Sequence, residues 1–238
     1  MSAQPRRRAA RAPFALVLSA LGIAFAGCGS SSHHGNGVAS KPPRAILAAA
    51  QAASARATSV HVAGSIEGAS AHESFDIEIL AGKGTSGTVT VDGANFELIE
   101  TAGTVYKRGD AAFYERIGGR SAAHRLNGKW LKASASDPKL QPVLRLTDLS
   151  GLISVSLAGH GRLASVGTSV VGNVHVVGVR DAGKGETVYV ATSGPPYPIQ
   201  ISKTGLGRGA ITLDRWNANV VLQPPHNAID ISALQPHG

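Results

Sequence analysis

Residues 74–98 read SFDIEILAGKGTSGTVTVDGANFEL, and three parts of this stretch place an apolar residue at every second position. The alternating residues are Phe75, Ile77 and Ile79, then Val89 and Val91, then Phe96 and Leu98. The turn sequences Gly82-Lys83-Gly84 and Asp92-Gly93 separate the three parts. A period of two predicts half-buried β-strands, and glycine-rich turns between them predict hairpins. The stretch therefore predicts an antiparallel meander with one apolar and one polar face.

The same strand pattern continues on both sides of this stretch. Further short strands of the first half are predicted around Val60 to Ile66, Val105, Phe113 and Trp130-Leu131. The second half has strand patterns at residues 170–180, 186–192, 197–203 and 210–215, with residues 220–222 as a further candidate. The alternation thus extends over most of the chain.

Two segments have helical spacing instead. Pro42-Pro43 predicts the start of an alanine-rich helix that runs to about Thr58, because proline is tolerated in a first helical turn. One side of this helix carries Ile46, Leu47, Ala50, Ala53 and Ala57. Residues 138–159 predict two short apolar helices. No linker separates the two sets of strands, so we predict an α+β fold: a single curved antiparallel half-barrel of about ten or eleven strands, with helices packed on its concave face.

The N-terminal region has the pattern of a bacterial lipoprotein signal. Arginines at positions 6, 7, 8 and 11 precede an apolar run at residues 13–25, and Ala26-Gly27 leads to Cys28, the only cysteine. The pattern departs from the usual lipobox at Phe25, where leucine is common. We predict a signal peptide over residues 1–27 and acylation of Cys28, with palmitate among the expected groups. The protein would then be exported and anchored to the outer leaflet of the cell membrane by a diacylglyceryl-cysteine.

Composition predicts the remaining domain boundaries and the net charge of the mature chain. Residues 28–41 are rich in serine and glycine and predict a flexible tether, residues 42–226 the folded domain, and residues 227–238 a loose tail. Of 23 lysines and arginines, four lie in the signal, which leaves 19 against 15 acidic residues, a net charge of +4. This mild and scattered excess fits a protein beside an anionic lipid surface and gives no basic patch for nucleic acid.

The motifs for catalysis are weak. Residues 205–210 match a dinucleotide fingerprint but precede a strand, so a glycine hairpin is the favoured interpretation. Ser136 and Lys139 form Ser-x-x-Lys without the companion motifs of penicillin-recognising enzymes. His33-His34 and the isolated histidines elsewhere, including His61 and His175, lack the spacing of a metal site. We therefore predict a protein that is not an enzyme and that uses no cofactor and no metal.

The second set of strands carries a family resemblance. The stretches NVHVVGVR at 173–180, VYVA at 188–191, PIQISK at 198–203 and ITLDRW at 211–216, with Tyr106 and Gly128-Lys129-Trp130, resemble the LppX/LprG family of actinobacterial lipoproteins. That family is similar in fold to the lipoprotein carrier LolA. The resemblance implies a half-barrel with a cavity for acyl chains and carriage of lipids or lipoglycans without catalysis.

The predicted function is therefore binding of a lipid or glycolipid in an apolar cavity for carriage across the cell envelope, with an envelope transporter as a further candidate partner. The alternative is a non-catalytic envelope sensor or scaffold of the RseB type, which acts through protein contacts. The residues predicted to line the cavity are Phe75, Ile77, Ile79, Val89, Val91, Phe96, Leu98, Leu144, Leu149, Leu152 and Ile153.

Overall fold

The computed structural model describes residues 35–68, 71–140, 144, 151 and 161–234. Within these ranges the chain forms one sheet of 12 strands and two α-helices, α1 (Pro43–Ser54) and α2 (Ala111–Leu126). The strands of the first half are β1 (Ser59–Glu67), β2 (His72–Leu80), β3 (Gly84–Val91), β4 (Ala94–Thr101), β5 (Thr104–Gly109) and β6 (Trp130–Ser134). Those of the second half are β7 (Leu163–Val171), β8 (Val174–Asp181), β9 (Glu186–Ala191), β10 (Pro198–Lys203), β11 (Arg208–Asp214) and β12 (Ile229–Asp230).

The strand order is β12-β6-β5-β4-β3-β2-β1-β11-β10-β9-β8-β7. The two meanders join where β1 pairs with β11, so the sheet is continuous. Every pair of neighbours is antiparallel except β12 and β6, which are parallel. The predicted α+β half-barrel is confirmed as an open, curved sheet, although that one parallel pair makes it mixed and the strand number exceeds the prediction.

One side of the sheet, which we call the apolar face, carries the alternating apolar residues. Val62 on β1 stands opposite both Ile77 on β2 and Leu213 on β11. Opposed residues of antiparallel strands project to the same side, so these three side chains form one row. They are at most 3 % exposed. Helix α1 packs into the same core through Ile46, Leu47 and Ala50, as its spacing predicts.

The segment just before α1 is attached to the sheet. Val38 lies in a 3-10 turn, Val38–Ser40, and is 2 % exposed. The side-chain amide of Asn36 donates hydrogen bonds to the carbonyls of Ala191 and Gly194, over 3.0 and 2.9 Å. Residues 35–41, which the sequence predicts as part of a flexible tether, thus contact the sheet through Val38, the side chain of Asn36 and the backbone N–H of Asn36, which donates to the carbonyl of Thr192. Residues 28–34 lie outside the described residues.

Three further predictions differ from the structure. Phe113 lies in helix α2 rather than in a strand, and residues 220–222 form no strand. Ile229–Asp230 pairs with β6, so this part of the C-terminal segment is joined to the sheet rather than loose. The two helices predicted at 138–159 fall mostly outside the described residues, apart from a 3-10 turn at Pro138–Leu140 and the helical positions 144 and 151.

Candidate functional site

The structure gathers eight of the predicted lining residues on the apolar face. Five of them are buried in the core: Ile77, Ile79, Val89, Phe96 and Leu98. Three are partly buried and pack against that core: Phe75, Val91 and Leu144. The remaining three, Leu149, Leu152 and Ile153, lie outside the described residues. A role of any of these side chains in holding a ligand stays a prediction.

An apolar pocket opens at the β6 end of this face, between α2 and the sheet. Its volume is about 420 Å³, which lies in the range of roughly 300–1,000 Å³ typical of small-molecule sites. We call it the α2 pocket. Its lining consists of Val105, Lys107, Phe113, Ile117, Leu131, Lys132, Ala133, Leu140 and Ile231. It adjoins the predicted cavity, since the rings of Phe113 and Phe96 lie 4.9 Å apart between centroids.

Helix α2 is positioned over the pocket by its first turn. The side chain of Asp110 accepts a hydrogen bond from the backbone N–H of Phe113 over 2.7 Å, which caps the helix. The hydroxyl of Tyr114, a fully buried residue, donates to the carbonyl of Lys129 and accepts from the N–H of Gly109. These two bonds fix the helix to the last residue of β5, Gly109, and to the residue that precedes β6, Lys129. The helix bends at Gly119, whose φ of 71° is outside the helical range.

The α2 pocket is not predicted from the sequence, because the pattern around Phe113 predicts a strand. A helix signal is nevertheless present: Asp110 is a favoured N-cap, and Phe113 and Ile117 are separated by one helical turn. The two glycines at 118–119 interrupt the periodicity and lower the helix propensity, which hides the signal.

Comparison with solved structures gives neighbours of low sequence identity. LprF from Mycobacterium bovis superimposes with a TM-score of 0.55 and 17 % identity, over 77 % of this chain and 96 % of LprF. The Mycobacterium tuberculosis lipoprotein LppX gives a TM-score of 0.49 and 20 % identity, over 76 % of this chain and 98 % of LppX. No protein-family model and no curated protein matches the sequence.

The chain has the LprF fold. LprF is a mycobacterial lipoprotein of the LppX/LprG family, so the resemblance found in the strands of the second half is confirmed at the level of the fold. In this LprF-like fold, no helix of the described residues is long and apolar enough to cross a membrane.

The other face of the LprF-like sheet is polar and is organised around His61. Its Nδ1 lies 2.6 Å from Oδ1 of Asp214, and its Nε2 lies 2.9 Å from Oδ1 of Asp76. Burial of the ring lowers the pKa of His61, but the hydrogen bonds with the two carboxylates more than offset this effect and raise the pKa above its ordinary value. Both ring nitrogens are thus engaged, as expected of a structural histidine. No group of three or more potential ligands in the described part of the chain could hold a metal ion.

The two weak catalytic motifs have plain structural roles. The hydroxyl of Ser136 lies 2.8 Å from that of Ser134 in an exposed turn after β6. Gly205 and Gly207 have φ values of 80° and 73° and form the hairpin between β10 and β11, as the sequence predicts. A dinucleotide fingerprint would have to open a helix here, and the chain continues as a strand instead.

Proposed function

We propose that this protein is an exported lipoprotein, anchored through Cys28, that binds the acyl chains of a lipid or lipoglycan against the apolar face and carries them across the cell envelope. The observation that carries the proposal is an apolar face that ends at an open apolar pocket in an LprF-like fold. The ligand is held mainly by the removal of hydrocarbon from water, which contributes roughly 0.8 kcal/mol per methylene.

A binding role of this kind needs no reactive group. It needs a large apolar surface that the protein leaves partly uncovered, together with a route for the polar head to remain in water. The α2 pocket supports both requirements. Its lining is mainly apolar, and it is open to water, since Ile117 lines it and is 62 % exposed. A single exposed hydrophobic residue is common on protein surfaces and does not indicate a binding site. One at the rim of an apolar pocket supports ligand entry.

Native mass spectrometry of protein purified from bacterial membranes tests the binding role. We expect masses above that of the polypeptide that disappear on organic extraction, and lipid in the extract. Delipidated protein should then take up a fluorescent acyl probe. A sensor of the RseB type would purify without lipid and take up no probe, and that result would refute the proposal.

The anchor is tested separately by fractionation. Cys28→Ala removes the acylation site and should shift the protein from the membrane fraction to a soluble one. Ser31→Ala, three residues away in the same polar segment, serves as the control and should remain in the membrane fraction. If Cys28→Ala also remains there, the anchor assignment is wrong.

A further inference from the structure

Two lysines line the α2 pocket, Lys107 and Lys132. Lys132 stands opposite Tyr106 and projects to the other side of the sheet, so Lys107 is the one on the apolar face. Lys107 stands opposite Leu98 on one side and opposite Leu131 on the other, so all three side chains project from the apolar face. Leu98 is 1 % exposed, and Leu131 lines the pocket beside Lys107. A lysine in a row that otherwise buries apolar side chains must bring its ammonium group close to the pocket.

No carboxylate among the described residues forms an ion pair with this ammonium group. In the ranges that the structure describes, the partner of Lys107 is the ring of Phe96, whose centroid lies 5.1 Å from Nζ. The nearest acid by register is Glu100, which stands opposite Val105, two residues from Lys107. The two side chains form no ion pair among the described residues. Burial lowers the pKa of Lys107 and raises that of Glu100, with no contribution from a charged neighbour to either.

A partly buried cation without a counterion is costly, because desolvation disfavours the charge. A cation–π contact with Phe96 compensates only part of that cost. An anion delivered into the pocket would supply the missing partner, and the surrounding apolar wall would strengthen the attraction. Apart from Lys107 and Lys132, the lining is hydrocarbon and aromatic, which suits the chain that such an anion would carry.

We propose that the α2 pocket binds a single acyl chain that ends in an anionic group, a carboxylate or a phosphate, and that Lys107 is the residue that pairs with this group. This assignment rests on the proposed lipid-binding function and specifies the ligand class of one part of the apolar face. A pocket of about 420 Å³ is suited to one short acyl segment rather than to a complete diacyl lipid. Charge and chain both contribute to affinity, so a free anion and a neutral ester should each bind less tightly than an anionic amphiphile.

The test is calorimetric titration of delipidated protein with decanoate, decyl phosphate, methyl decanoate and acetate. We expect one or both of the anionic amphiphiles to bind roughly 10- to 100-fold more tightly than methyl decanoate, as a charge-assisted hydrogen bond allows. Which of the two binds more tightly identifies the head group. Acetate, which lacks the chain, should not bind measurably.

Variants of Lys107 then separate charge from packing. Lys107→Met should reduce affinity for the preferred anion to that for methyl decanoate and leave the ester unchanged, whereas Lys107→Arg should retain the preference. Lys129→Met is the matched control, because it removes an equal charge from an exposed position outside the pocket, and it should bind like the native protein.

The outcomes distinguish this inference from the proposed function. Equal affinity of the native protein for anion and ester would overturn the role of Lys107 and leave lipid binding intact. An equal loss of affinity for both ligands in Lys107→Met would show that the lysine acts through packing, and this result would also overturn the inference. If the native protein binds none of the amphiphiles, the inference and the proposed function fall together.

Discussion

Tyr114→Phe is the substitution that most directly tests how α2 is held over its pocket. The hydroxyl donates a hydrogen bond of 2.9 Å to the carbonyl of Lys129 and accepts one of 3.2 Å from the N–H of Gly109. The residue has 0 % exposure, so water cannot replace either bond. Phenylalanine keeps the ring and its packing, and removes only the oxygen.

The expected cost follows from these two bonds. A net loss of roughly 0.5–1.5 kcal/mol for each predicts a decrease of about 1–3 kcal/mol in the free energy of unfolding. For a domain of this size, each kcal/mol corresponds to a shift of about 2–4 °C in Tm. Because the lost bonds fix the start of α2, the affinity of the α2 pocket for an acyl probe should fall as well.

Urea denaturation followed by intrinsic fluorescence measures the change, and Tyr106→Phe provides the control. Tyr106 lies on β5 close to the same loop, and its hydroxyl forms no hydrogen bond within the described residues. Its substitution should change the free energy of unfolding by less than about 0.5 kcal/mol. Equal effects of the two substitutions would show that the buried hydroxyl of Tyr114 does not hold the helix.

Two other predictions concern the N-terminal segment and the polar face. Asn36→Ala removes the two side-chain hydrogen bonds to the carbonyls of Ala191 and Gly194, so limited proteolysis should cut residues 35–41 faster than in the native protein. The control is Asn173→Ala, which changes an exposed turn residue and should leave the rate unchanged. Equal rates in the two variants would contradict the docking. His61 has a raised pKa, so its pairing with Asp76 and Asp214 stabilises the fold fully below the ordinary pKa of about 6.5 and loses that effect as the pH rises through the raised value. The stability difference between the native protein and His61→Gln should therefore shrink with increasing pH in denaturation measurements, and a difference that grows would refute this sign.

Most strands could be predicted because their signal is local. In the central parts of β2, β3 and β4 apolar residues alternate with polar ones, and glycine turns mark the ends, so period and boundaries are both visible in the sequence. Helix α1 could be predicted equally well, since its proline start and apolar spacing do not depend on other parts of the chain. The lining residues of β2 to β4 share one face for the same reason: strand alternation fixes the side to which each residue projects.

Features that depend on contacts between distant segments could not be predicted. Asn36 looks like a tether residue until the region after β9 provides the carbonyls to which its side chain donates, and Val38 does so until the core buries its side chain. Ile229–Asp230 becomes a strand only because β6 offers a free edge. A dipeptide has no periodicity of its own, so nothing in the local sequence distinguishes it from a loose tail.

The amino-acid sequence alone determined the alternation that makes a one-sided sheet, the first helix, and the cysteine that we propose as the anchor, because each is encoded by residues close together in the chain. Tertiary structure alone decided that β1 pairs with β11, that α2 packs on β4 and β5, and that Lys107 faces an apolar pocket with no counterion among the described residues. The physical reason is that the free energy of a charge depends on its surroundings. Those surroundings come from strands and a helix that only folding brings together.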